Sequence, residues 1–206
     1  MYYGERFNAI SHLVGAIFAV CGTALLVTFA GLTGTVWQIV AASIYGATLI
    51  ALYTISTLYH SFRRKRLKAI FQRLDHCAIY LLIAGSYTPF TLVTLHGAWG
   101  WTIFGINWGL AAFGIAQEWL LGKKTRVLSL PIYVIMGWLI VIATKPLIDA
   151  LPSSGLFWLV LGGLFYTGGI VFYIFDEKIR HGHGIWHLFV LAGSIAHFIC
   201  ILFYVI

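Results

Sequence analysis

An uncharged stretch of 56 residues decides the fold, running from Phe7 to Phe62: FNAISHLVGAIFAVCGTALLVTFAGLTGTVWQIVAASIYGATLIALYTISTLYHSF. It contains no Lys, Arg, Asp or Glu, and one membrane-spanning helix needs about 20 apolar residues. The stretch therefore predicts two spanning helices, separated by a turn at residues 31–35. Its apolar residues are continuous rather than alternating with polar ones, which favours helices over the strands of a membrane barrel.

Four further uncharged stretches extend this pattern to the end of the chain. Residues 76–117 predict two spans divided near residues 96–100, and residues 127–144, 150–175 and 181–206 predict one span each. We therefore expect an all-α integral membrane protein with a single seven-helix domain over residues 1–206. The predicted spans are roughly 10–30, 36–60, 77–95, 99–121, 127–145, 155–175 and 184–205.

The composition excludes several classes of protein. Of the 206 residues, 61% are apolar and only 9% are charged, whereas a soluble domain carries roughly 25% charged residues. A water-soluble enzyme, a disordered chain and a disulfide scaffold are therefore excluded. The net charge of +7 does not indicate a nucleic-acid partner. The basic residues lie in short segments beside the predicted spans, where they meet anionic lipid head groups.

The basic residues also predict the orientation of the chain in the membrane. With seven spans, 12 of the 13 Lys and Arg residues fall on the side of the N-terminus, and only Lys145 falls on the other side. Basic loops remain in the cytoplasm. We therefore expect a cytoplasmic N-terminus and an external C-terminus.

Ionisable groups are costly inside a membrane, so each one is a candidate functional residue. His183 and His187 are four residues apart at the start of the seventh span, so both rings lie on one helix face. His60 ends the second span, with Ser56 one turn earlier, and Asp75 precedes the third span. The predicted topology brings all of them to a similar depth near the cytoplasmic face.

Three histidines with one open position are the ligand set of a catalytic zinc, and a nearby Asp could hold its water or orient a ligand. Each residue also has a simpler interpretation. His60 could be an interfacial histidine that suits a helix C-terminus, and Asp75 could cap the third span or neutralise Arg73. The hydroxyl of Ser56 could bond back to its own helix.

Other polar residues form a second tier of candidates. His197 and Ser194 lie deeper on nearly the same face of the seventh span, where they line a polar interior or form hydrogen bonds in the packing. His12 enters the first span near Glu5 and Asn8, and either supports the histidine site or bridges helices. We expect Glu118 to pair with Lys123 or Lys124, and His76 and His181 to lie at loop edges without clear partners.

Several of these residues form motifs that resemble the progestin and adipoQ receptor (PAQR) family. The opening segment is similar to its bacterial branch, the hemolysin III or TrhA-type membrane homeostasis proteins. The matching segments are Glu5–His12 (ERFNAISH), Ser56–His60 (STLYH), Leu74–His76 (LDH), Ala84–Pro89 (AGSYTP), His183–His187 (HGIWH) and Leu191–Gly193 (LAG), followed by His197. The resemblance covers essentially the whole chain.

The resemblance implies a seven-helix core with zinc near the cytoplasmic face, in the cytoplasmic membrane of a bacterium. The family's three zinc-binding histidines correspond to His60, His183 and His187, and its Ser and Asp to Ser56 and Asp75. Related alkaline ceramidases use the same constellation to hydrolyse a lipid amide. The long N-terminal segment of the receptor members has no counterpart before the first span, so we expect no hormone or protein ligand.

Three functions are compatible with these residues. In a zinc-dependent lipid amide or ester hydrolase, zinc would polarise the carbonyl, Asp75 would accept a proton from water, and Ser56 would hold the water or the oxyanion. Alternatively, structural zinc with Asp75 as fourth ligand would stabilise a non-enzymatic regulator of membrane state. Thirdly, His12, Ser194 and His197 could mark the polar path of a cytolytic pore.

Overall fold

The structure, a computed structural model, describes residues 4–121 and 126–206. Within these residues the chain consists of helices joined by short connections and contains no strand. A π-helical turn, Phe90–Leu95, extends the third helix, and a 3-10 segment, Leu139–Ala143, joins the fifth helix to the sixth. The α-helices are α1 (Arg6–Thr33), α2 (Val36–Ser61), α3 (Lys65–Pro89), α4 (Gly97–Leu121), α5 (Arg126–Trp138), α6 (Thr144–Ala150), α7 (Ser153–Ile174) and α8 (Gly182–Tyr204).

Six helical segments of the described chain are long and apolar enough to cross a membrane. They are Arg6–Thr33, Val36–Ser61, Lys65–Leu95, Leu128–Ala150, Ser153–Ile174 and Gly182–Tyr204. The remaining long helix, α4, has the 25 residues that a span needs, but Asn107, Gln117 and Glu118 lower its hydropathy. The predicted all-α integral membrane architecture is confirmed, with α4 in the place of the fourth predicted span.

Two predicted boundaries differ from the observed helices. The third helix begins at Lys65, twelve residues before the predicted start at 77, because Lys and Arg favour a helix that continues beyond the membrane. Asp75 therefore lies inside α3, and its interpretation as a helix cap is wrong. The predicted fifth span is interrupted at Leu139–Ala143. Pro146 has no N–H to bond the carbonyl of Ile142, which weakens the helix there.

The predicted turns between spans are present, and local residues explain them. Gly34 ends α1, and Thr35 and Gln38 form a capping box at the start of α2, in which each side chain bonds the other's backbone N–H. His96 separates the π-helical turn from α4, and His96 and Gly97, the first residue of α4, adopt positive φ of +29° and +55°. Glycine reaches this backbone region without steric cost.

The bundle is arranged with apolar side chains outside and many polar side chains inside. Large apolar residues such as Phe18, Leu120 and Phe203 are 67%, 82% and 69% exposed, as expected where lipid is the solvent. Buried polar residues are concentrated on α2, α3 and α8. Helix α8 packs against α7 and α1, so its polar face lies in the interior of the bundle.

Candidate metal centre

Three histidines meet at the end of the bundle where α1 begins. His60 lies in the last turn of α2, and His183 and His187 lie in the first two turns of α8. One ring nitrogen of each lies within 4.8 Å of those of the other two. Tetrahedral ligands at a zinc–nitrogen distance of about 2.0–2.1 Å are roughly 3.4 Å apart. The three rings therefore need to close only slightly around an ion.

The two nitrogens of each ring have different environments. Every Nδ1 has a hydrogen-bond acceptor, whereas the Nε2 atoms of all three rings are buried without a partner among the described residues. A carboxylate or a carbonyl can only accept, so Nδ1 carries the proton and Nε2 keeps its lone pair. The acceptors are Glu5 Oε2 at 2.6 Å from His60, Asp176 Oδ2 at 3.2 Å from His183, and Ser11 Oγ and the Asn8 carbonyl at 3.1 Å from His187.

This arrangement fits a metal ion. Metal-binding histidines usually donate their second N–H to a carboxylate or a backbone carbonyl, which fixes the tautomer and orients the ring. Three Nε2 lone pairs that are buried without partners are costly. They are the donor set that zinc prefers, with one coordination position left open.

Glu5 is the most highly connected of the supporting residues. Its Oε2 accepts hydrogen bonds from His60 Nδ1 at 2.6 Å and from Asn8 Nδ2 at 3.0 Å, and its Oε1 accepts from Lys68 Nζ at 2.6 Å. Partial burial alone would raise the pKa of Glu5, but the contacts with His60 and Lys68 outweigh burial and hold that pKa well below its usual range. Glu5 is therefore a carboxylate that links α1, α2 and α3.

Asp75 and Ser56 lie beside the histidines. Asp75 is 5% exposed, and its carboxylate is within electrostatic reach of His60 and of its neighbour His76. Ser56 is 1% exposed and lies next to Asp75, although its hydroxyl forms no well-aligned hydrogen bond within the described part of the chain. Asp75 is outside the group of close metal-binding atoms. The pair is therefore placed to hold a water or a polar ligand group.

The start of α1 packs directly on the histidines of α8. A Cβ at Gly184 would overlap the ring of Phe7, so glycine permits this close approach. The ring of His12 stacks on that of His187, with centroids 3.6 Å apart and planes 9° apart, and neither nitrogen of His12 has a partner among the described residues. His12 therefore supports His187 by stacking and keeps its own hydrogen-bonding capacity free.

Two cavities meet at this centre. A polar cavity of about 290 Å³ is lined by Glu5, Asn8, His60, Gln72, Asp176 and His183, among others. An apolar cavity of about 130 Å³ extends into the bundle between α3, α5, α7 and α8 and is lined by His12, Ile83, Val134, Ile170 and His197, among others. Asp75, Tyr173 and Trp186 line both cavities. The centre is thus accessible from a polar side and from an apolar side.

The deeper candidates on α8 have separate environments. Ser194 belongs to a hydrogen-bonded cluster, because its Oγ accepts from Tyr53 Oη at 2.7 Å and lies 2.8 Å from Tyr166 Oη. His197 lies along the apolar cavity and donates from Nε2 to the Leu159 carbonyl at 3.2 Å. Neither residue is among the atoms grouped at the metal centre.

Several partners of the buried polar residues were not predicted from the sequence. None was predicted for His76, which lies 3.5 Å from the buried carboxylate of Glu118, so that expectation is wrong. The Oε1 of Glu118 accepts from Ser129 Oγ at 2.8 Å. Lys123 and Lys124, the predicted partners of Glu118, lie outside the described residues. Asp176 and Ser11 were also missed. An acidic residue seven positions before His183 was the only available signal for Asp176.

Comparisons with known proteins agree with the motifs. The family model described as "Haemolysin-III related" matches residues 2–198. "Hemolysin-3" of Bacillus cereus is 45% identical over 202 residues, which are 98% of this chain and 92% of that protein. "Hemolysin-3 homolog" of Bacillus subtilis (strain 168) is 45% identical over 200 residues, 97% of this chain and 93% of that protein.

A human protein matches at lower identity. "Monocyte to macrophage differentiation factor" of Homo sapiens is 31% identical over 204 residues, which are 97% of this chain and 83% of that protein. No solved structure matches the chain. The predicted resemblance to the hemolysin III branch of the PAQR family is confirmed. The chain therefore belongs to the haemolysin-III-related family of integral membrane proteins.

Proposed function

We propose that His60, His183 and His187 bind one zinc ion through Nε2. One observation carries this proposal: one ring nitrogen of each histidine lies within 4.8 Å of those of the other two, every Nε2 is buried without a partner among the described residues, and every Nδ1 has an acceptor. Zinc favours imidazole nitrogen and a tetrahedral site. A centre that served packing alone would leave three buried polar atoms unpaired.

We further propose that the centre is that of a lipid amide or ester hydrolase. Zinc in an open three-histidine site acts as a Lewis acid towards a carbonyl and lowers the pKa of water towards about 7. Asp75 accepts the proton of the attacking water and returns it to the amine or alcohol that leaves as the acyl–N or acyl–O bond breaks, and the Ser56 hydroxyl holds the water or the developing oxyanion. Both residues are buried beside His60, where water does not screen their electrostatic effects.

The two cavities suggest how the reactants meet. Water enters through the polar cavity, and an acyl lipid lies in the apolar cavity with its carbonyl at the end that Asp75 lines. Helices α5 and α7 pack sparsely against each other beside the apolar cavity, which would admit a lipid sideways from the membrane. The substrate class is therefore an acyl lipid with a hydrolysable carbonyl near its head group.

We propose that the protein acts in the cytoplasmic membrane of a bacterium. Its orientation in that membrane and its biological role are both inferred from the sequence. Seven spans with a cytoplasmic N-terminus follow from the distribution of Lys and Arg. The basic segments then meet anionic lipid head groups of the inner leaflet. Hydrolysis of a membrane lipid at this face would adjust lipid composition, which we propose as a contribution to membrane homeostasis.

The experiment is a lipid-hydrolysis screen with purified, zinc-loaded protein in lipid nanodiscs. Free fatty acid released from N-acyl and O-acyl lipids is measured by mass spectrometry. We expect release by the wild type, a loss of about 100-fold or more in Asp75→Asn, and no change in Asp149→Asn, the same substitution at an exposed residue. No release from any lipid by zinc-loaded wild type would reject the hydrolase and leave zinc as a structural ion of a membrane-state regulator.

A further inference from the structure

The apolar cavity has a second polar position far from the metal centre. His197 follows His187 by ten residues on α8, which corresponds to about 15 Å along the helix at 1.5 Å per residue. The cavity is lined by Asp75 and His12 at one end and by His197 at the other. His197 is 9% exposed and is not one of the three histidines grouped at the centre. The hydrolytic steps proposed above do not use it.

The hydrogen bonding of His197 defines what it can bind. Its Nε2 lies 3.2 Å from the backbone carbonyl of Leu159, and a carbonyl can only accept, so Nε2 carries the proton. The neutral ring then has a lone pair on Nδ1, and this atom is buried without a partner among residues 4–121 and 126–206. The unmet group is an acceptor, so its ligand must be a donor.

The surrounding residues create room for the ring without supplying that donor. A Cβ at Gly162 would overlap His197, so glycine allows the imidazole to lie against α7. Tyr166 packs edge-on against the ring with centroids 5.4 Å apart, but its hydroxyl lies 2.8 Å from Ser194 Oγ. The nearby Thr167 hydroxyl donates to the Gly163 carbonyl. The Thr167 hydroxyl is therefore directed at another acceptor, and the Tyr166 hydroxyl is hydrogen-bonded to Ser194.

A water molecule fits this position poorly. A buried water typically needs two to four polar partners, and the cavity wall is predominantly apolar, with residues such as Ile83, Val134, Ile170 and Val190. A hydroxyl on a hydrocarbon chain fits better, because the chain fills the apolar volume while the hydroxyl meets the acceptor. Burial of an unpaired acceptor at membrane depth is costly, and such a ligand would remove that cost.

We propose that His197 Nδ1 accepts a hydrogen bond from a hydroxyl of the bound lipid, about 15 Å from the metal centre along α8. The substrate class is then an acyl lipid whose chain carries a hydroxyl far from the carbonyl. This inference rests on the proposed function, because it assumes that the lipid head lies at the metal centre. It adds a recognition site that distinguishes hydroxylated from plain chains.

The test measures binding of three fatty acids to zinc-loaded protein in nanodiscs, by displacement of a fluorescent fatty acid. The probes are stearic acid, 12-hydroxystearic acid, whose hydroxyl lies far along the chain, and 2-hydroxystearic acid, whose hydroxyl is beside the head. One added net hydrogen bond predicts that the wild type binds the 12-hydroxy acid about threefold to tenfold more tightly than stearic acid. The 2-hydroxy acid should show no such gain.

Variants separate recognition from folding. His197→Phe keeps an aromatic ring but removes the acceptor, so it should bind stearic acid as the wild type does and lose the preference for the 12-hydroxy acid. His197→Gln supplies an acceptor oxygen and should restore part of the preference. His187→Ala should weaken the binding of all three acids alike, because it removes one of the three residues that would hold the zinc ion at the head of the lipid.

The outcomes distinguish the two proposals. If the wild type binds stearic acid in a zinc-dependent way but shows no preference among the three acids, the hydroxyl site is rejected and the proposed function stands. A preference that persists in a folded His197→Phe variant also rejects the site. If no acid displaces the fluorescent probe from the wild type, the proposed function and the hydroxyl site fail together.

Discussion

The link between Glu5 and His60 makes the sharpest prediction for the metal centre. Glu5 accepts from His60 Nδ1 at 2.6 Å and from Lys68 Nζ at 2.6 Å, so its charge holds the ring and is itself held by a cation. Glu5→Gln keeps the size and one acceptor oxygen but removes the negative charge. The substitution therefore tests whether the carboxylate increases the basicity of His60 Nε2, as carboxylates do for other metal-binding histidines.

The expected magnitude follows from the geometry. Loss of an outer-shell partner typically costs 10–100-fold in metal affinity. Because glutamine can still accept from His60, we expect the lower part of this range, about tenfold, or about 1.4 kcal/mol. The variant also leaves the ammonium of Lys68 without the Glu5 counter-charge. This loosens the start of α1 but does not alter the donor set of the site.

The assay is a competition titration of zinc between purified protein and a chromophoric chelator of known affinity. Glu177→Gln is the matched control, since it makes the same chemical change at an exposed residue at the same end of the bundle. We expect the control to bind zinc as the wild type does. Thermal unfolding of the metal-free proteins shows whether the variant is folded.

Two results would refute the reasoning about Glu5. The first is a zinc affinity of Glu5→Gln within twofold of the wild type, which would mean that the carboxylate does not tune the ligand. The second is an equal loss of affinity in Glu177→Gln, which would indicate a general effect of charge at this end of the protein.

Three further predictions concern the support of the site, its pH dependence and the packing of α4. Asp176→Asn should lower zinc affinity less than Glu5→Gln, because its hydrogen bond is longer, 3.2 Å against 2.6 Å; a larger loss in the same titration would contradict this. Zinc affinity should weaken as the pH falls below neutral, because protons compete with the ion for the three imidazole nitrogens. Glu5 adds to this effect only in acid, because its lowered pKa contributes stability that is lost below about pH 4.3. A zinc affinity that stays constant down to the pH at which the protein unfolds, measured with a zinc dye, would contradict three imidazole ligands. Gly100→Ala should cost about 1–3 kcal/mol in thermal unfolding, because its Cβ would overlap the Thr91 carbonyl, whereas Gly105→Ala meets no atom within 4 Å and should not lower stability; equal melting temperatures would contradict the close packing.

Much of the fold could be predicted from where charges are absent. The turn at residues 31–35 and the break at His96 follow from local sequence, and α2 and α4 have nearly the predicted bounds. The early start of α3 could not be predicted from hydropathy, because residues from Lys65 form a helix without needing to be apolar. The 3-10 segment Leu139–Ala143 also has no hydropathy signal, since its cause is the missing N–H of a proline.

The site could be predicted in part, because the membrane topology fixes the depth at which each helix begins and ends. The C-terminal end of α2 and the start of α8 lie at the same depth in the bundle. For this reason His60, His183 and His187 could be grouped from the predicted topology alone. The partners of their Nδ1 atoms depend on how closely α1 approaches α8 and on the path of the loop before α8. The spacing of residues along the sequence does not determine these two features. The role of Asp176 and the pairing of His76 with Glu118 are therefore found only in the three-dimensional structure.

The most direct test of the account is the zinc content of detergent-purified protein, measured by inductively coupled plasma mass spectrometry. Wild type, His187→Ala and His96→Ala are compared, since His96 is exposed in the turn before α4. We predict about one zinc per chain in the wild type and in His96→Ala, and almost none in His187→Ala, since three ligands define the site. A well-folded wild type without metal, or a His187→Ala variant that keeps a full equivalent, would contradict the proposed centre.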